Sequence, residues 1–348
     1  MPDYLIYGAN GYTGTLIARL AVERGGRPYL GGRNGAAVAH LAAELGLQAR
    51  SFGADDAAAL GAGLAGMAVV LNCAGPFSRT ARQLVDACLR LKIHYLDVTG
   101  EIAVFESLAA RDAEFLSAGV TVMPGVGFDV VPSDCLAVHL KRRLPGATRL
   151  VLAFRGGRPS RGTATTMVEN VRNGGLIRRN GVLTRVPAAW RTRVVDFGAG
   201  PVTAVTIPWG DLSTAFRSTG IPDIEVLMAA GRLERAALRA TRYLGGVLGT
   251  APVQRFLKSR IQNNPPGPSD EQRKRGVSRF WGEATSDDGE RVVSRLRAPE
   301  SYTLTALTAL ASVERVVTGR APPGFQTPGT AFGPDFILEI AGVERFDD

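Results

Sequence analysis

Three glycines and one arginine have the spacing that most directly suggests chemistry. Gly8, Gly11 and Gly14 stand in Gly8-Ala9-Asn10-Gly11-Tyr12-Thr13-Gly14, directly after the short β-type run Tyr4-Leu5-Ile6-Tyr7. Thr15 to Val22 follows with apolar residues at helical spacing. Strand, glycine turn and helix in that order is the context in which such glycines hold a dinucleotide pyrophosphate. Gly8 lets the chain turn sharply, Gly11 lets backbone approach a phosphate, and Gly14 lets the helix lie close to the strand. Asn10, Tyr12 and Thr13 share the turn, and the amides opening the helix face the phosphates, where the helix dipole favours negative charge. The spacing G-x-x-G-x-x-G departs from the commoner G-x-G-x-x-G, and a glycine-rich turn without a ligand is the competing reading.

Arg33 supplies the second half of the signal. Pro28 to Gly32 reads as a second strand, and Arg33 lies 19 residues beyond Gly14. NAD enzymes place an acid near there to bind the ribose 2′-hydroxyl. Here Arg33 is followed by Asn34, with no Asp or Glu before Glu44. A guanidinium pairs with a 2′-phosphate and can stack on adenine, so the pattern favours NADP(H) over NAD(H). A solvated surface arginine is the alternative, because Lys92, Lys141, Lys258 and Lys274 are the only lysines among 41 basic residues.

Two carboxylates, Asp129 and Asp211, are the candidates for proton transfer. Each lies in a Gly/Pro-framed loop, where partial burial raises a carboxyl pKa toward that of a proton donor. Capping competes, since Asp129 precedes a helical stretch and Asp is a favoured N-cap. Phe128, Arg158 and Thr163 are the candidates to touch substrate; Arg158 and Arg161 can grip an anion or sit solvated in a loop. Tyr12 and Tyr302 are secondary candidates for proton donation, with a packed or rim tyrosine as the favoured reading. His40, His94 and His139 have no partner at metal-ligand spacing, so no metal is expected. Cys135 reads as a small buried side chain rather than a nucleophile.

These residues need a scaffold, and the first 125 residues alternate strand and helix patterns. Strands are expected at 48–52, 67–73, 94–98 and 120–124, with helices at 36–45, 55–64, 80–91 and 102–118. Such repeats form a doubly wound parallel sheet that binds ligands beyond its carboxyl ends. That places Gly8–Gly14, Arg33, Asn34, the loop Asn72, Cys73, Ala74, Gly75, Pro76 and Phe77, and Thr99, Gly100 and Glu101 around one crevice. Beyond Gly127 the pattern changes to strands at 149–155, 201–207 and 291–296. Helices are expected at 130–144, 164–172 and 224–247, followed by a Pro-rich loop at 263–272. An apolar helix at 303–317 should pack back on the first domain. The expectation is α/β: a Rossmann-type doubly wound parallel sheet with a second mixed α/β (α+β) domain. Residues 1–127 form the cofactor domain, 128–298 the other wall of the cleft, and 299–348 a C-terminal helix and tail returning to the first.

The chain has 348 residues, 45% hydrophobic and 21% charged, with a net charge of +9. It has no apolar run of 18 residues to span a membrane and no room before the first strand for a signal peptide. Three widely spaced cysteines, Cys73, Cys88 and Cys135, suit a reducing cytoplasm rather than disulfides or zinc. No basic stripe interleaved with aromatics points to nucleic acid; phosphate-rich small molecules or an acidic carrier explain the charge as well. The basic amphipathic stretch 224–247 can touch a membrane surface, frame a lipid pocket, or be an ordinary half-buried helix.

Tyr7-Gly8-Ala9-Asn10-Gly11-Tyr12-Thr13-Gly14, Asn72-Cys73-Ala74-Gly75-Pro76-Phe77, Tyr95-Leu96-Asp97-Val98-Thr99-Gly100-Glu101 and Gly127-Phe128-Asp129-Val130-Val131-Pro132-Ser133-Asp134 resemble the saccharopine dehydrogenase-like reductases. The resemblance is greatest to the branch of trans-acting enoyl reductases, and it extends through Arg161-Gly162-Thr163-Ala164, Ile207-Pro208-Trp209-Gly210-Asp211 and Ser218-Thr219-Gly220-Ile221-Pro222 to Gly324-Phe325-Gln326-Thr327-Pro328. Val130 departs from it, since relatives often carry serine there. The resemblance implies an NADP-binding Rossmann domain, a substrate domain and C-terminal residues returning to the first; it leaves the substrate open. Short-chain dehydrogenases share the glycine spacing but need Tyr-x-x-x-Lys, and no lysine here has a tyrosine four residues before it. The expected function is NADPH-dependent reduction of a C=C (enoyl) or C=O/C=N bond in an apolar, lipid- or carrier-linked substrate. Partners would be a small-molecule or acyl substrate, with an acyl carrier protein, peripheral membrane contact and a homodimer as further candidates. A non-catalytic NADP(H)-binding sensor or scaffold is the alternative.

Overall fold

The computed structural model describes residues 3–157, 159–170 and 174–348. The first half alternates strand and helix: β1 (Tyr4–Tyr7), α1 (Tyr12–Glu23), β2 (Tyr29–Gly32), α2 (Gly35–Leu45), β3 (Gln48–Ser51) and α3 (Ala57–Leu64). There follow β4 (Val69–Asn72), α4 (Phe77–Leu91), β5 (His94–Asp97), α5 (Ile102–Ala109), α6 (Asp112–Ala118) and β6 (Thr121–Met123). The single helix expected over 102–118 is two, interrupted at Ala110–Arg111.

The next stretch is α7 (Val131–Arg143), β7 (Ala147–Arg155), α8 (Arg161–Asn170), β8 (Gly175–Arg179), β9 (Val182–Val186), β10 (Thr192–Asp196) and β11 (Pro201–Thr206). It continues with α9 (Asp211–Thr219), β12 (Asp223–Ala229), α10 (Arg232–Leu248), α11 (Ala251–Gln262), α12 (Asp270–Arg275), β13 (Val277–Ser286) and β14 (Arg291–Pro299). Then come α13 (Ser301–Val317), β15 (Gly324–Phe325), α14 (Pro328–Phe332) and β16 (Glu344–Asp347). The helix expected from Ile224 begins only at Arg232. Ile224 to Ala229 is strand instead, paired in parallel with β7, which buries Val226 and Leu227.

Two units result. One comprises the residues up to Val131 with Tyr302–Ile340; the other comprises Pro132–Ser301 with Ala341–Asp348. In the first, the sheet order is β15-β6-β5-β4-β1-β2-β3, and all its pairings are parallel. Strand alternation divides the core. Ile6 and Leu71 face Ile17, Val38 and Leu310 on one side, while Leu5 and Val70 face Leu60, Leu84 and Phe115 on the other. Burial on both faces explains why β4 is apolar almost throughout. Helix starts are fixed locally: Asn34 Oδ1 accepts from Ala37 N, and Asp56 caps α3 through two amides. Helix α13 packs Ala306, Ala309, Leu310 and Val313 into this core.

The second unit is built on a sheet ordered β10-β11-β12-β7-β13-β14-β16, with β8 and β9 branching from β12. Among the described residues only β12 and β7 pair in parallel there; the other pairings are antiparallel. Residues 341–348, expected to return to the cofactor domain, belong here: Glu344–Asp347 hydrogen-bonds to β14. His139 Nε2 fixes this tail through Asp347 Oδ1 at 2.9 Å.

Candidate functional site

The carboxyl ends of β1, β2, β4 and β5 carry most of the candidate residues, and the reversal of strand order falls between β1 and β4. Gly8 turns there with φ +77°, and a Cβ on it would stand 2.8 Å from Ala74 N. Its amide donates to Gly31 O at 2.8 Å. A Cβ on Gly14 would run into Gly8 O and stand 2.8 Å from Ala9 Cα, so only glycine lets α1 approach the turn this closely. Gly11 is the N-cap and has no side chain to cap the helix, and the first turn holds no acid. A helix N-terminus left this way suits an anion. Thr15 Oγ1 braces the turn by donating to Ala9 O at 3.0 Å.

Arg33 leaves the end of β2 exposed, without an ion pair or hydrogen bond among the described residues. Its charge partly offsets the effect of burial, which pushes the Tyr7 hydroxyl pKa up. Asn10 is exposed beside it, Oδ1 lying 3.3 Å from where a Cβ on Gly32 would be. Asn34 differs from expectation in part, because its side-chain oxygen caps α2.

The loop after β4 is held by a polar network that the sequence did not disclose. Asn72 is fully buried. Its Nδ2 donates to Tyr95 Oη at 3.0 Å and Thr80 Oγ1 at 3.2 Å, and its Oδ1 accepts from Ala74 N at 2.9 Å. Tyr95 Oη donates to Asp97 Oδ2 at 2.8 Å, and Asp97 Oδ1 accepts from Thr99 N and Gly125 N, both at 2.9 Å. Burial pushes Asp97 up to about 7 against the pull of those amides. Thr99 is buried too, its Oγ1 accepting from Glu101 N at 3.0 Å. Asn72 and Thr99, expected to touch cofactor, therefore have their side chains committed inside the protein, where they position loops. Glu101, expected at the crevice, has a role the sequence did not disclose: its carboxylate accepts from Phe77 N at 2.7 Å and Ser78 N at 3.0 Å, capping α4. Between them Cys73, Ala74, Gly75, Pro76 and Phe77 form a braced loop in which Gly75 is exposed and Phe77 packs against the core. Burial and Asp97 push the Cys73 thiol up, away from thiolate chemistry.

Asp129 lies over Gly100, where a Cβ would stand 2.6 Å from its Oδ2. The carboxyl is half-buried, and burial pushes its pKa up to about 7. Helix α13 fixes the neighbouring chain: Phe128 N donates to Thr305 Oγ1 at 3.0 Å and Thr308 Oγ1 to Val126 O at 2.9 Å. Phe128 itself is buried, and Tyr302 meets Tyr12 edge-to-face with centroids 5.0 Å apart. The structure thus brings the glycine turn, Arg33, the β4 loop, Gly100 and Asp129 onto one unit.

Asp211 and Thr163 belong to the other unit. Asp211 is fully buried in the first turn of α9, a position the helix dipole favours for an acid. Thr163 opens α8, its amide donating to Ser160 Oγ at 3.3 Å. Arg161 donates to Asn264 O, and Arg158 lies outside the described residues.

A family model described as the saccharopine dehydrogenase NADP binding domain matches residues 4–123. A trans-acting enoyl reductase of Mycobacterium leprae is 35% identical over 151 residues, 41% of this chain and 36% of the relative. One of Mycobacterium bovis is 31% identical over 149 residues, 40% of this chain and 36% of the relative. The chain therefore spans little more than a third of the length of these curated relatives. Apo saccharopine dehydrogenase (L-Glu forming) from Saccharomyces cerevisiae superposes over 100% of both chains with a TM-score of 0.71 at 13% identity, a likeness of fold alone.

Proposed function

With a model of the saccharopine dehydrogenase NADP binding domain matching residues 4–123, we propose that this chain is an NADPH-dependent reductase acting on the C=C bond of an apolar acyl substrate. C=O and C=N bonds are the related acceptors. The observation that carries this reading is the start of α1, where the N-cap Gly11 brings no side chain and the first turn no acid, beside an Arg33 with no ion pair or hydrogen bond among the described residues. The residues present fit the coenzyme. The first-turn amides of α1 would face the pyrophosphate with the Gly11 backbone against it, and Arg33 would hold the 2′-phosphate with Asn10 beside it. When bound, the coenzyme supplies hydride. The chain must then orient the acceptor, exclude water and deliver a proton. Asp129, with a pKa near 7, holds a proton at Oδ1 or Oδ2 in a sizeable fraction of molecules at neutral pH. Similarity to the trans-acting enoyl reductases supports the acyl substrate class.

The test is NADPH absorbance against enoyl, keto and imino acyl thioesters, alongside calorimetric titration with NADPH and NADH. Tight NADPH binding with turnover of the enoyl acceptor is the expected result. Binding without turnover of any acceptor would favour a redox sensor, and no heat with either coenzyme would remove the assignment altogether.

A further inference from the structure

Helix α10 presents its apolar side to solvent. Leu233, Ala237, Ala240, Leu244 and Val247 follow one another at spacings that keep them on one helical stripe, with Tyr243 at its edge. All six are exposed, Leu233 and Tyr243 at 86% and 87%. Among the described residues the partly covered positions are Arg235 and Leu238, on the opposite side, and Thr241 and Leu248, at the edge of the stripe away from Tyr243. An ordinary surface helix does the reverse. Helix α11 adds exposed Phe256 and has no buried residue.

What would cover this stripe is indicated by charge. From Arg232 to Gln262 there are seven basic side chains and one acid, Glu234. A second copy of the chain would press like charges together. An anionic surface would instead meet apolar side chains and flanking arginines at once, the pattern of a helix lying in a lipid interface. Among the described residues no helix is long and apolar enough to cross a membrane. We propose that α10 docks the protein on an anionic lipid surface, with Leu233, Tyr243, Leu244 and Val247 entering the interface and Arg232 and Arg239 at the level of the lipid phosphates.

Flotation of the full chain with phosphatidylcholine vesicles, with and without phosphatidylglycerol, tests this. Binding is expected only with phosphatidylglycerol and should weaken with salt. Leu244→Glu should reduce it by tenfold or more, and Arg239→Ser by about fivefold. Both side chains are exposed, so circular dichroism and Tm should match the parent. NADPH affinity should be unchanged in both variants, which separates this surface from the coenzyme reading. Absence of binding to either vesicle overturns the proposal. So does a solution dimer abolished by Leu244→Glu without lipid binding, which would identify a second copy as the occupant.

Discussion

Arg33→Ala isolates the contact on which coenzyme choice is proposed to depend. The side chain is exposed at the end of β2, so its loss removes no ion pair or hydrogen bond among the described residues. Surface changes of this kind stay within about 0.5 kcal/mol, and Tm should move by no more than about 2 °C. Binding is different. A charge-assisted hydrogen bond contributes about 1.5–3 kcal/mol, and exposure to solvent puts this one at the lower end. Loss of roughly 1.5 kcal/mol weakens NADPH about tenfold. NADH lacks the 2′-phosphate and should bind as before, so the ratio of affinities falls by that same factor. Arg33→Asp should lower it further by repulsion, and the difference between parent and variant should shrink as salt rises. Calorimetric titration with both coenzymes at low and high ionic strength reads all of this. An unchanged NADPH-to-NADH ratio at unchanged Tm would refute the reasoning.

Gly14→Ala places a methyl against two backbone atoms that cannot move aside, Gly8 O and Ala9 Cα. Overpacking of this kind costs about 1–3 kcal/mol, a Tm fall of roughly 3–10 °C, with weaker NADPH binding; a variant with parental Tm and affinity would contradict the close packing. Glu101→Ala uncaps α4 at Phe77 and Ser78, and thermal melts should register a loss of about 1 kcal/mol. Asp129→Asn tests the raised carboxyl. A group raised from 3.8 to about 7 binds its proton more tightly when folded, so stability declines as pH climbs between those values and the loss is complete above the upper one. The Asn variant should gain on the parent in Tm between pH values of about 4 and 7, while Asp97 leaves a residual slope in both. Parallel curves would show that burial does not act on Asp129 in this way. Turnover should lose its acidic-side preference in the same variant.

The parts of the site that lie close in sequence were legible, and those assembled across the sheet were not. Gly8, Gly11 and Gly14 encode a turn within seven residues, and Arg33 ends the next strand, so local order sufficed. The Asn72–Tyr95–Asp97 network joins neighbouring strands more than twenty residues apart. The available signal was that Tyr95 and Asp97, two apart on β5, must share a face. Glu101 carried no sign that its partners would be the amides of Phe77 and Ser78. The strand at Asp223–Ala229 was hidden because its apolar residues run straight into the basic amphipathic helix, giving one long periodic stretch. Only pairing with β7 resolves it. The short β16 was hidden for a similar reason: Glu344-Arg345-Phe346-Asp347 has little strand character without β14 beside it.

The two-residue strand Gly324–Phe325 has a consequence for biosynthesis. It completes the first sheet beside β6, and α13 covers the apolar face that includes Met123 and Val126. About 170 residues separate these pieces from the six strands they join. At ribosomal speeds of about 5–20 residues per second, the nascent nucleotide-binding half waits roughly ten to thirty seconds with one edge bare and one hydrophobic flank uncovered. A polysome therefore carries an unfinished half-domain, and chaperone engagement during translation should concentrate in that interval, ending when Leu310 and Val313 emerge to close it.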